Sequence, residues 1–226
     1  VSKVIAIVSG GMDSVTMAHQ LDQQGHEVHL LSVDYGQRHR KEHDFAAAAA
    51  ERLGAVHQIA DLSAVGAMFR GSSLTDPSVD VPEQTWEGYG ESPNIVPNRN
   101  ALLLSVAFAI AVVEKAEAVA IGIMADDATS VPDSTPAFLR SFIAMERLAT
   151  KGYAHPDLDL LAPLAGLRKS GVVLLGEELR VPWAQTWTCL RGGEAHCGRC
   201  AACWERQEAF TEAGVDDPTV YQEIRG

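Results

Sequence analysis

Short apolar runs alternate along the chain with longer stretches whose apolar residues recur every three to four positions. Val4 to Val8 reads VIAIV, the uninterrupted pattern of a strand buried on both faces. Asp13 to Gln24 follows with helical spacing, and Gly25 can stop it. Val28 to Val33 repeats the strand pattern. Lys41 to Leu53 holds five consecutive alanines and ends at Gly54, which predicts a helix with a glycine C-terminus. Val56 to Ile59 predicts a third strand. Further on, Arg99 to Lys115 predicts a helix and Ala118 to Ile123 a strand. A helix opened by Pro136 then runs to Ala149. Lys169 to Leu179 and Cys200 to Ala213 predict two more helices, with residues 183–199 irregular. Strands alternating with helices predict an α/β fold, a parallel sheet covered on both faces.

Residues 60–97 break this rhythm. Pro77, Pro82, Pro93 and Pro97 fall there. A connection this long inside a compact domain is usually functional, so a lid or an ordered insertion near the site is expected.

Composition narrows the function classes. The 226 residues carry 18 basic against 30 acidic side chains, net −12. That balance argues against a nonspecific nucleic-acid surface, which needs positive charge to neutralise phosphates. A small nucleotide needs only a few local donors and stays open. The longest apolar stretch, Ala101 to Val113, is 13 residues, short of the roughly 20 that span a membrane. The N-terminus shows no signal-type pattern, so a cytoplasmic protein is expected.

The candidate chemistry starts at residues 8–15, VSGGMDSV, between the first strand and the first helix. In an open parallel sheet ligands bind beyond the carboxyl ends of the strands. Glycines let backbone approach an anion, and the next helix offers unpaired N–H groups. Serine hydroxyls add donors, and Asp13 can hold a magnesium ion that bridges phosphates. A plain turn capped by Asp13 or Ser14 would need one glycine at most. The stretch is neither GxxxxGK[ST] nor GxGxxG. A second cluster lies near the other end. Cys189, Cys197, Cys200 and Cys203 fall within 15 residues, and the chain has no other cysteine. Two CxxC steps with a fourth thiol upstream suit a closed tetrahedral zinc site. An iron–sulfur cluster would use the same four thiolates, but no redox partner motif accompanies them. His196 adjoins the cluster as a spare ligand.

SGGMDS resembles the pyrophosphate loop of the PP-loop ATPases, in which the loop grips ATP phosphates while a carboxylate or carbonyl oxygen is adenylated. DYGQRH at Asp34–His39, VPNRN at Val96–Asn100 and TWTCLRGGEAHCGRCAACWER at Thr186–Arg206 follow in order. Together these four stretches resemble the QueC family of 7-cyano-7-deazaguanine synthases over nearly the whole chain. The resemblance implies a Rossmann-like, HUP-like core over residues 1–182 and a zinc-binding segment over 183–226. It implies an ATP-dependent ligase acting on 7-carboxy-7-deazaguanine and free ammonia. Adenylation would lead to an amide, and a second ATP to the nitrile.

Carried over, Ser9, Gly10, Gly11, Met12, Asp13 and Ser14 would cradle phosphates. Arg99 and Lys169 would act beside Asp13 and Ser14 as catalytic charge. Asp34, Gln37, Arg38 and His39 would line the nucleotide site. Asp127, Asp133 and Phe138 would recognise the base, and the four cysteines would hold structural zinc in a homodimer. One segment departs from the family pattern GxNxxDxSGYPDCRPxF. Gly122 to Phe138 reads GIMADDATSVPDSTPAF. Met124, Ser130, Val131, Ser134 and Thr135 stand where the family has asparagine, glycine, tyrosine, cysteine and arginine. Two alternatives follow. The chain could stop at the amide or pass the activated carboxylate to another amine, a protein amine included. Or it could bind nucleotide without turnover.

Overall fold

The structure, a computed structural model, describes residues 2–83, 92–129 and 131–222. Among them, strands β1 (Lys3–Ile7), β2 (Glu27–Asp34), β3 (Val56–Asp61), β4 (Ala118–Ala120) and β5 (Asp159–Leu161) form one sheet. Its order is β3-β2-β1-β4-β5, and every pairing is parallel. The helices are α1 (Met12–Gln23), α2 (Glu42–Leu53), the short α3 (Ser63–Gly66), α4 (Arg99–Glu114), α5 (Pro136–Ala149), α6 (Lys169–Glu178) and α7 (Ala201–Ala213).

Period-two alternation along β1 sorts the core into two halves. Val4, Ala6 and Val8 face Met12, Val15, Ala18 and Leu21 near and along α1, with Val172 and Val173 of α6 and Phe210 of α7 in the same cluster. Ile5 and Ile7 face the other way, toward Leu104, Ala107 and Phe108 of α4 and Phe142 of α5. Both faces are therefore covered, as continuous apolar strands require. Trp183, Ala209 and Phe210 belong to the first core cluster, so the zinc-type segment expected from residue 183 onward shares that core.

The sequence placed most elements within a few residues. The strand expected over Ala118–Ile123 pairs through Ala120; Ile121 N–H still donates to the Leu161 carbonyl at 3.0 Å. The chain then leaves the sheet at Gly122 to form the site. β5 was not anticipated. It is three residues of DLL with no alternation to read, and only its pairing with β4 defines it.

Within residues 60–97, the described part is an ordered insertion. Ser73 N–H donates to the Pro93 carbonyl at 2.7 Å, and Ser73 Oγ donates to Asn94 Oδ1 at 2.6 Å. Residues 84–91, the middle of the expected lid, lie outside the described residues.

Candidate active site

The sheet order reverses direction between β1 and β4, where a doubly wound sheet opens a crevice at its carboxyl end. β1 delivers Ser9–Ser14 there, and β4 delivers Gly122–Asp127. Gly10 has φ +83°, and a Cβ on it would lie 2.2 Å from the Glu42 carbonyl oxygen and 2.8 Å from Ala46 N. Conformation and space both demand glycine. Trp187 N–H donates to the Gly10 carbonyl at 2.9 Å. Ser14 Oγ accepts from Ser9 N–H at 3.2 Å and donates to the Gly11 carbonyl at 3.1 Å. Gly122 closes the other side, since its Cβ would lie 3.2 Å from Ser14 Cα. The first intrahelical bond of α1 runs from Val15 N–H to Gly11 O. The N–H groups before Val15 thus stand at the positive end of the helix.

Asp13 Oδ2 accepts from Lys169 Nζ at 2.9 Å, bridging α1 and α6. Its Oδ1 is buried without a hydrogen-bond partner, and an orphaned carboxylate oxygen beside a phosphate-type loop fits a divalent cation. Burial disfavours the Lys169 charge, but Asp13, Glu205 and Asp127 outweigh it and lift its pKa above the ordinary lysine range. Asp127 Oδ2 accepts from Met124 N–H at 2.8 Å, and burial raises the Asp127 pKa. Glu205 of α7 is pushed up to about 7, first by burial and then by the nearby aspartates against the pull of Lys169.

Arg99 opens α4 behind the left-handed Asn98, φ +62°. Its Nη1 donates to the Tyr35 hydroxyl at 3.2 Å. Asn100 N–H donates to Asp133 Oδ2 at 2.8 Å, and Asn100 Nδ2 donates to Ser134 Oγ at 2.9 Å. The VPNRN and VPDST stretches are thereby stitched together.

Two contiguous cavities of about 380 and 330 Å³ result, sharing Arg99, Met124, Asp127 and Lys169. That is the size of a small-molecule site. Of the residues singled out in sequence, Ser9, Gly11, Met12, Asp13, Ser14, His39, Arg99, Asp127, Asp133 and Lys169 line these cavities. Others point elsewhere. Asp34 pairs with Arg40 and accepts from Gly36 N–H. Gln37 is buried, accepting from Tyr35 N–H and donating to Glu42 Oε1. Arg38 donates to the carbonyls of Asp76 and Val79 in the insertion. Phe138 packs on Phe142, ring centroids 5.6 Å apart. Asp133 has one oxygen committed to the start of α4.

Among the departing positions, Met124, Val131 and Ser134 line the cavities. Thr135 caps α5 by accepting from Phe138 N–H at 3.2 Å. Ser130 lies outside the described residues. Sequence reading missed Glu42, Tyr35 and Glu205. Glu42 stands one helical turn beyond His39, and that spacing was the only signal available.

The cysteines converge as their spacing predicts. The four buried Sγ atoms lie within 4.8 Å of one another, and a tetrahedral zinc–thiolate site needs S···S edges of about 3.8 Å. Cys197 Sγ accepts from Arg199 N–H and Cys200 N–H at 3.4 and 3.3 Å. Neighbouring thiols, Cys189 first, draw Cys197 far below the ordinary thiol range and push Cys200 and Cys203 up. Four thiols this close cannot all ionise without a cation between them. The donor set fits a metal. His196 is not a fifth ligand: its Nε2 accepts from Thr188 N–H at 3.1 Å, and its ring packs 4.3 Å from Trp187.

Comparison with known proteins agrees with this geometry. The family model of the queuosine biosynthesis protein QueC matches residues 3–214. A 7-cyano-7-deazaguanine synthase of Brucella ovis is 46% identical over 98% of this chain and 94% of its own. Two solved structures share the fold at lower identity. One is a predicted subunit of tRNA methyltransferase from Methanocaldococcus jannaschii, with TM-score 0.51 at 16% identity, over 99% of this chain and 93% of that one. The other is the U34-tRNA thiolase NcsA of Methanococcus maripaludis with its [4Fe-4S] cluster, with TM-score 0.50 at 18% identity, over 100% and 76%. With a family model over nearly its whole length and a synthase at 46% identity, the chain belongs to the QueC family.

Proposed function

We propose that this protein is an ATP-dependent carbon–nitrogen ligase that makes 7-cyano-7-deazaguanine from 7-carboxy-7-deazaguanine and ammonia. The observation that carries the reading is the meeting of the Ser9–Ser14 loop, the Asp13–Lys169 pair and Arg99 in one cavity. The 46% identity to a named synthase supports the substrate.

In this reading the loop and the start of α1 hold the β and γ phosphates, and Arg99 and Lys169 face the charge that builds as the substrate carboxylate attacks the α-phosphorus. Pyrophosphate leaves, and the carboxyl carbon becomes an acyl adenylate. Ammonia displaces AMP to give an amide. A second adenylation, on the amide oxygen, precedes loss of AMP and two protons to give the nitrile. Asp13 Oδ1 would hold magnesium, which neutralises phosphate charge when bound. The four cysteines would hold zinc as a structural element, anchoring residues 183–226 to the 1–182 core. A homodimer in the cytoplasm completes the proposal.

One observation favours a second reading. Met124, Val131 and Ser134 replace family residues at positions that line the cavity. A changed lining suits an enzyme that stops at the amide or uses another amine. Mass spectrometry of one reaction separates the readings, with 7-carboxy-7-deazaguanine, excess ATP–magnesium and ammonium. A nitrile with two AMP per product is expected. An amide with one AMP would favour the second reading, and no AMP at all would sink both.

A further inference from the structure

One buried group on the cavity wall has no role in the steps above. His39 is 6% exposed and lines the cavity that holds the Ser9–Ser14 loop and Arg99. Its Nε2 lies 3.3 Å from Glu42 Oε2, within ion-pair distance, and we place the ring proton on that nitrogen, facing the carboxylate. Nδ1 is then an acceptor, and it is buried without a partner. A buried acceptor without a partner costs stability unless a ligand donates to it. Glu42 is itself fixed, because Gln37 Nε2 donates to its other oxygen at 2.8 Å.

The surroundings select the ligand. Burial, and next Arg99, hold the His39 pKa down to about 3, so the ring is neutral. Burial pushes the Glu42 pKa up to about 7, against the pull of Gln37, His43 and Arg99 and with a further push from Asp34. Tyr35 and Arg99 complete the charged and titratable groups on this wall. A neutral ring beside a fixed guanidinium cannot accumulate a second cation. It can accept an N–H while passing its other proton to a carboxylate that titrates near neutrality.

We infer that His39 and Glu42 form the ammonia site, with His39 Nδ1 receiving the amine N–H and the His39–Glu42 pair carrying a proton away from ammonium. This rests on the ligase reading above. One ammonium proton moves to Nδ1 as the Nε2 proton moves to Glu42 Oε2, which leaves ammonia against the wall. Its lone pair forms the C–N bond to the acyl carbon. The carbon–oxygen bond to AMP breaks, AMP leaves with that electron pair, and the extra proton on the new amide nitrogen goes to the departing phosphate. Glu42 then returns its proton through His39 to water.

The test compares the unsubstituted protein with His39→Gln and Glu42→Gln, given 7-carboxy-7-deazaguanine and ATP–magnesium. ATP–pyrophosphate exchange reports adenylation without amine. Amide formation is measured with ammonium and, separately, hydroxamate formation with hydroxylamine, which is a free base at neutral pH. The ratio of amide formation to exchange falls about a hundredfold in both variants with ammonium, a general-base loss. With hydroxylamine the ratio recovers. An unchanged ratio with ammonium overturns the inference, and so does an equal fall with hydroxylamine. A raised KM for ATP in the exchange would also overturn it, because Nδ1 would then be serving the nucleotide. Glu42→Gln keeps the shape of the carboxylate and guards against a folding defect at position 39. Absence of exchange in the unsubstituted protein would sink the ligase reading itself, and the inference with it.

Discussion

Two arginines, Arg206 buried and Arg99 half-buried, show how the C-terminal segment differs from the cavity wall. Arg206 of α7 is fully buried and bonded at all three guanidinium nitrogens. Its Nε donates to Asp217 at 3.2 Å, Nη1 to Thr186 Oγ1 and Thr188 Oγ1 at 2.7 and 3.2 Å, and Nη2 to the Trp183 carbonyl at 3.0 Å. Arg99 at the start of α4 makes one side-chain hydrogen bond among the described residues, to Tyr35. The rest of its guanidinium faces a cavity. A guanidinium bonded at every nitrogen holds a fold together, and one left mostly unbonded at a cavity is available to a ligand.

The largest effect should come from the four clustered thiols of the same segment. Cys200→Ser removes one of four thiols from a buried cluster, the proposed zinc ligands, and structural zinc is worth about 10–16 kcal/mol of binding. Metal content should drop from about one per chain, and soluble folding should go with it. A metal-free variant that folds and turns over would break the assignment.

Next come the arginines themselves. Arg206→Met leaves Asp217 buried beside an apolar chain and should cost about 3–5 kcal/mol in denaturant unfolding. Whatever remains folded should still exchange pyrophosphate. Arg99→Met should do the reverse. Unfolding should change little, while adenylation should fall about 10²–10³-fold. If both substitutions acted alike on stability and rate, the contrast would fail.

The smallest effect concerns Asp217. Burial would raise its pKa, but Arg206 and hydrogen bonds from Tyr221 and Thr219 outweigh it and hold it below the ordinary carboxylate value. A depressed carboxylate stabilises the fold fully above its unfolded pKa of about 3.9. That stabilisation is lost as pH falls through the lower folded value. Asp217→Asn should lower stability at neutral pH and converge with the parent in acid, below about pH 4, so that the acid limb of the stability profile flattens.

The same contrast explains what could be read in advance. Each cysteine offers one atom, and all four sit within one short stretch, so spacing alone revealed the cluster. Ser9–Ser14 was equally local, a loop between a strand and a helix. Arg206 was only a letter in a helical pattern, because its partners come from Thr186, Thr188 and Asp217 across a folded segment. DYGQRH pointed to a strand end beside the site. It did not show that His39 would face the cavity while Arg38 turned to Asp76 and Val79 and Gln37 went beneath Glu42. Those directions depend on the insertion and on α2. Asp133 showed the opposite problem: its motif suggested base recognition, and its oxygen also holds the Asn100 amide.

The contact between Asp13 and Lys169 joins residues 156 apart. During synthesis at about 5–20 residues per second, the phosphate loop emerges on the order of ten seconds or more before the lysine that completes it. The loop and the lysine can therefore act together only on a chain synthesised past the start of α6.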